Sequence, residues 1–157
     1  MPIDLPDTAI LLEDAALRLI AAGIMGLLIG LDREVKHKPL GLKTNTLVAM
    51  GAAAFGLIVM ELVHVLDRQQ GLGPIDPSRV VQGIIEGIGF LGAGAIIRGR
   101  GEVIGATTGA TIWVVGAIGL ACGFGLVYLA GLITGLVLLV LVGLGLFSRG
   151  RPENGEA

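Results

Sequence analysis

The sequence VVQGIIEGIGFLGAGAIIR, residues 80–98, decides the fold class of this chain. It is apolar over its length, yet it contains five glycines and one carboxylate, Glu86. In a helix of a water-soluble protein, each glycine would cost about 1 kcal/mol relative to alanine. Between membrane helices, small residues favour association because they let two backbones approach closely. The stretch therefore indicates a central transmembrane helix with neighbours packed against it.

The composition of the whole chain is typical of a membrane protein. Its 157 residues are 54% hydrophobic and 15% charged, with 27 glycines and a mean hydropathy of +0.86, whereas soluble domains carry about 25% charged residues. The formal net charge is −2, and no basic patch is interleaved with aromatic residues, which argues against nucleic-acid binding. The single cysteine, Cys122, cannot form an internal disulfide, and we expect it only to fill space between helices.

Five apolar runs match the length of membrane-spanning helices, which need about 17–25 residues. They cover residues 15–31, 44–66, 80–97, 103–123 and 124–147. The last two are separated only by the sequence Cys-Gly-Phe-Gly, which predicts a tight turn and an antiparallel pair. We therefore predict an all-α membrane protein, a compact bundle of about five transmembrane helices over residues 10–147. Residues 148–157 would form a short disordered cytoplasmic tail.

The basic residues predict the orientation of the bundle. Eight of them lie in the first loop, the third loop and the tail, and three lie on the opposite side. The eight are Arg33, Lys36, Lys38, Lys43, Arg98, Arg100, Arg149 and Arg151, and the three are Arg18, Arg68 and Arg79. By the positive-inside rule, the N-terminus lies outside and the C-terminus lies in the cytoplasm.

The sequence argues against a nucleotide-binding site and against a catalytic site. Residues 87–92, GIGFLG, satisfy the nucleotide-binding pattern GxGxxG, but that motif needs a strand-to-helix turn and an acidic residue about 20 positions later. Here the apolar run continues and the later position is not acidic. His37 and His64 fall on opposite sides of the membrane, and no Ser or Cys has a base beside it. We therefore expect no nucleotide site and no enzymatic activity.

Small residues recur at a spacing of four, which places them on one face of a helix. The pairs are Gly26/Gly30, Gly83/Gly87, Gly105/Gly109 and Gly131/Gly135. Such pairs favour close crossing of membrane helices. The alternative is that some of these glycines line a narrow path or let a helix unwind locally.

Five polar side chains fall at similar depth in the outer half of the bundle, given a rise of 1.5 Å per residue. They are Arg18, Glu61, His64, Gln82 and Glu86. A charge at membrane depth costs about 2.5–3.5 kcal/mol on insertion scales and normally finds a partner. We hypothesise that Arg18 pairs with Glu86 or Glu61. Snorkelling to the interface is the alternative for Arg18 and Glu61.

At the opposite end, residues 32–34, Asp-Arg-Glu, close the first helix, and Lys43 and Thr44 open the second. Thr44 or Asn45 is expected to cap that second helix. The charges could be an ordinary solvated helix end. Alternatively, they face Lys43 and Arg98 across the bundle and form a switchable network, or offer oxygens to Mg²⁺, which prefers one or two carboxylates plus water.

Four motifs together resemble one family. They are GLDRE (30–34), GLKTNTLVAMG (41–51), GIGFLGAGAIIR (87–98) and GATTGATIWVVGAIGLACG (105–123). Their order and spacing are similar to those of the MgtC/SapB family of bacterial inner-membrane proteins, over about residues 10–147. The resemblance implies a five-helix domain in the bacterial inner (plasma) membrane, where family members are linked to growth in low magnesium and, in some pathogens, to survival inside macrophages.

The resemblance also implies a function. The protein would act in magnesium or proton homeostasis and stress adaptation, without a resident cofactor, by binding and modulating other membrane proteins, for example an ATP synthase or a magnesium importer. Mg²⁺ could act as a ligand or as a signal, and self-association is also expected. The alternative is a small Mg²⁺ or H⁺ transporter or channel that uses the intramembrane carboxylates Glu86 and Asp32.

Carried over by position, the family's residues define the predicted sites. The charged group is Asp32, Arg33, Glu34, Lys43 and Thr44, the glycine core for packing and gating is Gly87, Gly89, Gly92 and Gly94, and the Thr-Trp segment contributes Thr107, Thr108 and Trp113. We add the intramembrane polar residues Arg18, Glu61 and Glu86 to this set. We expect the Thr107 and Thr108 hydroxyls in the middle of the bundle, between the outer polar residues and the charged group at the opposite end. Glu86 stands where the family more usually has a small or hydroxylated residue. Virulence-type members also append a cytoplasmic domain that is not in this sequence, so we expect partner contacts to lie elsewhere.

Overall fold

A computed structural model describes residues 8–68, 76–99 and 102–149. Within these ranges the chain forms five α-helices and one two-stranded hairpin. The helices are α1 (Leu12–Val35), α2 (Leu42–Arg68), α3 (Pro77–Gly94), α4 (Ala106–Gly123) and α5 (Val127–Arg149), and the strands are β1 (Ile97–Gly99) and β2 (Glu102–Ile104). The predicted five-helix architecture is confirmed for this part of the chain. The predicted tail lies outside it, apart from Ser148 and Arg149, which end α5.

Three of the helices are long and apolar enough to cross a membrane. These segments are Leu12–Val35, Leu42–Asp67 and Ala106–Gly123, and α5 contributes a shorter apolar segment, Val127–Gly143. Even the 18 residues of α4 extend about 27 Å, close to the ~30 Å of a hydrocarbon layer. The outer faces of the helices carry large exposed apolar side chains such as Leu17, Phe55 and Leu139, which suits contact with a lipid bilayer.

The central helix of the bundle is α4, which is buried along most of its length. It packs against α1, α2, α3 and α5, whereas α3 contacts α4 and, more lightly, α2. The prediction of a central helix at residues 80–98 is therefore wrong. In α3, which occupies most of that stretch, only Gly92 is buried. The core lies instead among α1, α2, α4 and α5, around Ala22, Ala53, Val115 and Ile118.

The closest helix packing joins the backbones of α2 and α4. A Cβ atom added at Gly119 would overlap the carbonyl oxygen of Ala49, and one added at Gly123 would overlap that of Ala53. On α2, a Cβ at Gly56 would lie 3.2 Å from the Cα atom of Gly123. Gly119 and Gly123 are four residues apart on one face of α4. They form a small-residue pair that was not among the four predicted pairs.

The predicted small-residue pairs have mixed outcomes. Gly26 and Gly30 are both packed, because added Cβ atoms would lie 2.6 Å from the carbonyl oxygen of Asn45 and 2.8 Å from the Cα atom of Leu42. Gly109 is packed against α3, whereas Gly105 is a turn residue. The members of the other two pairs make no close contact within the described chain. An added Cβ would meet nothing within 4 Å at Gly83, Gly87 and Gly135, and only a side-chain atom at 3.7 Å at Gly131.

Local signals explain where two helices begin and end. Asp76 caps α3 by accepting a hydrogen bond from the Ser78 amide at 2.9 Å, and Pro77 follows at the first turn. Hydrogen bonding by the side chain of Ser78, and then by its amide, holds the pKa of the Asp76 carboxyl below its usual range. The predicted tight turn after α4 is confirmed. Gly125 adopts a φ of 80°, and the Leu126 amide donates to the Ala121 carbonyl at 2.8 Å, the pattern of a Schellman motif.

The connection from α3 to α4 contains a β-hairpin that the sequence did not predict. Ile97 pairs with Ile104, and Gly99 pairs with Glu102, in an antiparallel arrangement. Gly105 follows with a φ of 89°, and a Cβ there would overlap the carbonyl oxygen of Ala95. Glycine is therefore required at position 105, the residue that precedes α4.

Candidate functional site at the charged mouth

The end of α1 and the beginnings of α2 and α4 meet at one end of the bundle. Gly30 lies against Leu42, and the side chain of Arg33 contacts Thr108. The polar residues gathered here are called the charged mouth below. They are Asp32, Arg33, Glu34, Lys36, Asn45 and Thr108.

Arg33 is the most unusual member of the mouth because it is a charged residue that is only 4% exposed. Its Nη2 atom donates to the hydroxyl oxygen of Thr108, in the first turn of α4. Its Nε atom is buried and has no hydrogen-bond partner among the described residues. The structure thus brings together two predicted site residues. We expected Thr108 in the middle of the bundle, but it lies at the mouth. Thr107 beside it is exposed.

Asp32 binds Lys36, the residue directly after α1, with 2.6 Å between Oδ1 and Nζ. Lys36 Nζ also donates to the carbonyl oxygen of Leu141 in α5, at 2.7 Å. The hypothesised network, in which Asp32 and Glu34 face Lys43 across the bundle, is not observed among the described residues. Asp32 instead binds Lys36, one helical turn away, and Lys43 is exposed. The side chain of Arg98 lies outside the described residues.

Glu34 holds the start of α2. Its Oε2 atom accepts from the Leu42 amide at 3.2 Å, and a Cβ at Gly41 would overlap the same carboxylate. Asn45 does not cap by accepting, because its Nδ2 atom donates backwards to the carbonyl oxygens of Leu40 and Gly41, at 2.6 and 2.9 Å. The cap expected from Thr44 or Asn45 is therefore supplied by Glu34. Thr44 is half-buried nearby.

The hypothesised outer cluster of charges does not form. Arg18 donates to the carbonyl oxygen of Gly123 at 3.0 Å, and it binds Asp14 on its own helix at 2.5 Å. The guanidinium thus lies at the C-terminal end of α4, where the helix dipole favours a positive charge. Pairing of Arg18 with Glu61 or Glu86 is wrong, because closer partners on α1 and α4 occupy both ends of its guanidinium.

The two carboxylates of that hypothesis have separate environments. Glu61 accepts from the amides of Ala9 and Ile10, at 3.1 and 2.8 Å, and so holds the chain just before α1. Glu86 is exposed on α3 and accepts from the Nε2 atom of Gln82, one turn away, at 2.8 Å. Equal depth in the membrane therefore did not bring these side chains together.

The predicted glycine core is packed at one of its four positions. A Cβ added at Gly92 would lie 3.0 Å from the carbonyl oxygen of Gly109 in α4. At Gly87, Gly89 and Gly94 an added Cβ would meet nothing within 4 Å. Gly87 lines an open apolar groove between α3 and α2, whereas Gly89 is half-buried and Gly94 is exposed. Within that same part of the chain, no group of three or more His, Cys, Asp and Glu side chains could hold a metal ion.

Comparison with known proteins identifies the family. Residues 19–149 match the model of the MgtC family. The chain belongs to the MgtC family. It is 41% identical to Protein MgtC of Brucella abortus (strain 2308), over 82% of this chain and 50% of that protein. It is 43% identical to Protein MgtC of Salmonella typhimurium (strain LT2), over 69% of this chain and 43% of that protein.

A third relative of this MgtC-family chain carries another name. Protein SrpB of Synechococcus elongatus is 40% identical over 80% of this chain and 72% of that protein. The chain spans about half the length of the Brucella MgtC proteins that it matches. No solved structure matches the chain.

Two mouth residues of this MgtC-family chain were not singled out from the sequence as site residues. Lys36 had a signal, because it stands four residues after Asp32 and oppositely charged residues at that spacing meet on a helix. Asn45 is 1% exposed, and its Oδ1 atom has no hydrogen-bond partner. Nothing in the local sequence separates a buried asparagine that donates backwards from an ordinary helix cap.

Proposed function

We propose that this MgtC-family chain is a multi-pass protein of the bacterial inner membrane that acts by binding and modulating other membrane proteins, in magnesium or proton homeostasis and in stress adaptation. Family membership and the relatives named MgtC support this role. The chain would have no enzymatic activity and no resident cofactor, and Mg²⁺ would act as a signal or as the cargo of a partner. An ATP synthase and a magnesium importer are the partners to test first.

The observation that carries this proposal is the packing of the bundle interior. Between the charged mouth and Arg18, the described core is made of small and apolar residues, with Ala22, Ala49 and Ile118 fully buried. Gly119 brings the backbone of α4 against Ala49. A cation crossing a membrane protein needs polar groups or water along its path. A closely packed apolar interior therefore favours a role through contacts with other proteins over ion transport.

The remaining polar groups of the interior support the same reading. Thr111 and Thr134 are buried, but their hydroxyls donate to carbonyl oxygens one turn earlier on their own helices, at 2.7 and 2.8 Å. The carboxylates that a transporter would use do not line the interior. Asp32 binds Lys36, and Glu86 is exposed on the outer face of α3. These residues do not form a polar row through the described bundle.

The exposed face of α3 is the surface on which we expect a partner helix. Gly87 and Gly94 lie on the same face of the helix as Phe90. Both leave open space there, and Phe90 is 79% exposed. Small residues allow a second transmembrane helix to approach closely, and a large apolar side chain can pack into it. The proposed occupant is a transmembrane helix of another membrane protein, and a second copy of this chain is the other outcome to test.

We expect purified protein in liposomes to carry no Mg²⁺ or H⁺ above the level of empty liposomes, because the interior offers no polar path. A flux that disappears in Asp32→Asn or Glu86→Gln would overturn the proposal and make the chain a transporter. In native membranes, a photo-crosslinking phenylalanine analogue at position 90 should capture a distinct membrane protein. The same analogue at Leu139, exposed on α5, is the control, and equal capture at both positions would argue against a partner surface on α3.

We also propose that all five helices cross the membrane, with the N-terminus outside and the charged mouth in the cytoplasm, because most basic residues lie at the mouth end. In a Cys122→Ala background, Asp67→Cys should react with a membrane-impermeant maleimide in intact cells. Lys38→Cys should react only after lysis. Both positions are exposed, and they lie at opposite ends of the bundle. The reverse labelling pattern would overturn the orientation.

A further inference from the structure

Within the described residues, the first amides of α4 have no hydrogen-bond acceptor. The residue that precedes α4, Gly105, has no side chain, no side-chain cap bond is formed, and the first turn contains no acidic residue. The amides of the first helical residues have no acceptor within a helix, and the first α4 amide bonded to a backbone carbonyl is that of Gly109. Ala106 and Thr107 are exposed, so a ligand can reach this end of the helix.

A buried positive charge lies against these donors. The guanidinium of Arg33 contacts Thr108 in the same first turn, and its Nε atom is buried without a partner. The N-terminus of a helix is itself equivalent to a partial positive charge, so the two repel each other. Burial of an unpaired charge adds a further cost.

The carboxylates that flank Arg33 form no ion pair with it. Asp32 forms its ion pair with Lys36, and Glu34 accepts from the Leu42 amide. Within the described residues, the ion pairs are Asp32 with Lys36 and Asp14 with Arg18. Arg33 and the end of α4 therefore present positive potential that an anion would neutralise.

We propose that the first turn of α4 and Arg33 form a binding site for a phosphate group, carried either by a lipid headgroup or by free inorganic phosphate. Helix N-termini bind such anions through backbone amides, and guanidinium groups suit oxyanions. The depth also fits, because α4 is about as long as the hydrocarbon layer is thick, so its end lies near the phosphate groups of a bilayer. This site is independent of whether the protein binds a partner or transports an ion.

The first test is a thermal unfolding titration of the full chain, purified in dodecyl maltoside. Inorganic phosphate is added at constant ionic strength, and in a second series phosphatidylglycerol is compared with diacylglycerol, which lacks the phosphate. A saturable rise in Tm with phosphate identifies the free anion as ligand, and a rise with phosphatidylglycerol alone identifies the headgroup. No rise in either series would overturn the proposal.

Two variants separate the site from a general salt effect. Thr107→Asp places a carboxylate on the exposed first turn, where acidic residues stabilise a helix, so it should fold and lose the response. Thr107→Asn introduces a side chain of the same size as aspartate but without its charge. This variant should keep the response. Arg33→Gln should weaken binding by about ten- to a hundredfold, the value of a charge-assisted hydrogen bond. If Arg33→Gln fails to fold, the two Thr107 variants decide, and an undiminished response in Thr107→Asp refutes the site.

Discussion

Gly119→Ala is expected to destabilise the folded protein by about 1–3 kcal/mol, the usual cost of inserting atoms into a packed core. The added methyl group would overlap the carbonyl oxygen of Ala49. Because that atom belongs to the backbone of α2, it cannot move aside as a flexible side chain could. The two helices would have to separate, and the contacts around Val115 and Ile118, which line the same core, would loosen with them.

Gly135→Ala is the matched control for this change. An added Cβ at Gly135 meets nothing within 4 Å, so the variant should gain only the better helix propensity of alanine, about 0.5–1 kcal/mol. Unfolding in mixed micelles by increasing SDS, followed by circular dichroism, measures both variants. The two substitutions are chemically identical and should change stability in opposite directions. A stabilised Gly119→Ala protein would mean that α2 and α4 are further apart than described.

Helix positions were predictable because the apolar runs and the polar loops between them differ strongly in composition. Each run contains a helix, and the turn at Gly125 was marked by its glycines. The hairpin was not predictable. Its strands, Ile97–Gly99 and Glu102–Ile104, have three residues each, which is too short for a periodic pattern. Their apolar residues could equally be the ends of the neighbouring helices.

Side-chain partners were harder to predict than helices, because a sequence gives depth along a helix but not the direction in which each face points. Arg18 and Glu86 share a depth, yet α1 packs against α2, α4 and α5, while α3 lies against α4 and α2. The same limit applies to glycine. The highest density is in α3, but the closest backbone approach is at Gly119 and Gly123 in α4. Density alone does not show which helix is central.

The family resemblance predicted the charged mouth better than the physical arguments did. It marked Arg33 and Thr108, which lie 75 positions apart and are in contact, whereas reasoning from depth had placed Thr108 in the middle of the bundle. It did not indicate the roles of these residues. The buried guanidinium, the cap that Glu34 supplies and the pairing of Asp32 with Lys36 all depend on how three helix ends are placed in space.

Thr108→Val should destabilise the protein by about 1.5–3 kcal/mol, the range for a hydrogen bond to a charged group. Valine has nearly the same shape as threonine, so packing is preserved and only the acceptor for Arg33 is lost. The matched control is Thr134→Val, since Thr134 is also 4% exposed. Its hydroxyl bonds the Ala130 carbonyl on its own helix, which still accepts the backbone bond of the helix, so the expected change is below about 0.5 kcal/mol.

A double-mutant cycle with Arg33→Met shows whether the cost of Thr108→Val comes from the buried guanidinium. Methionine keeps much of the apolar volume and removes the charge, and replacing both partners of a buried polar contact by apolar groups is often close to neutral. In the Arg33→Met background, Thr108→Val should therefore cost less than about 0.5 kcal/mol, which gives a coupling energy of about 1–3 kcal/mol. The measurements are made without phosphate or anionic lipid, so that no ligand compensates the charge. An unchanged cost of Thr108→Val in that background would mean that Thr108 stabilises α4 independently of Arg33.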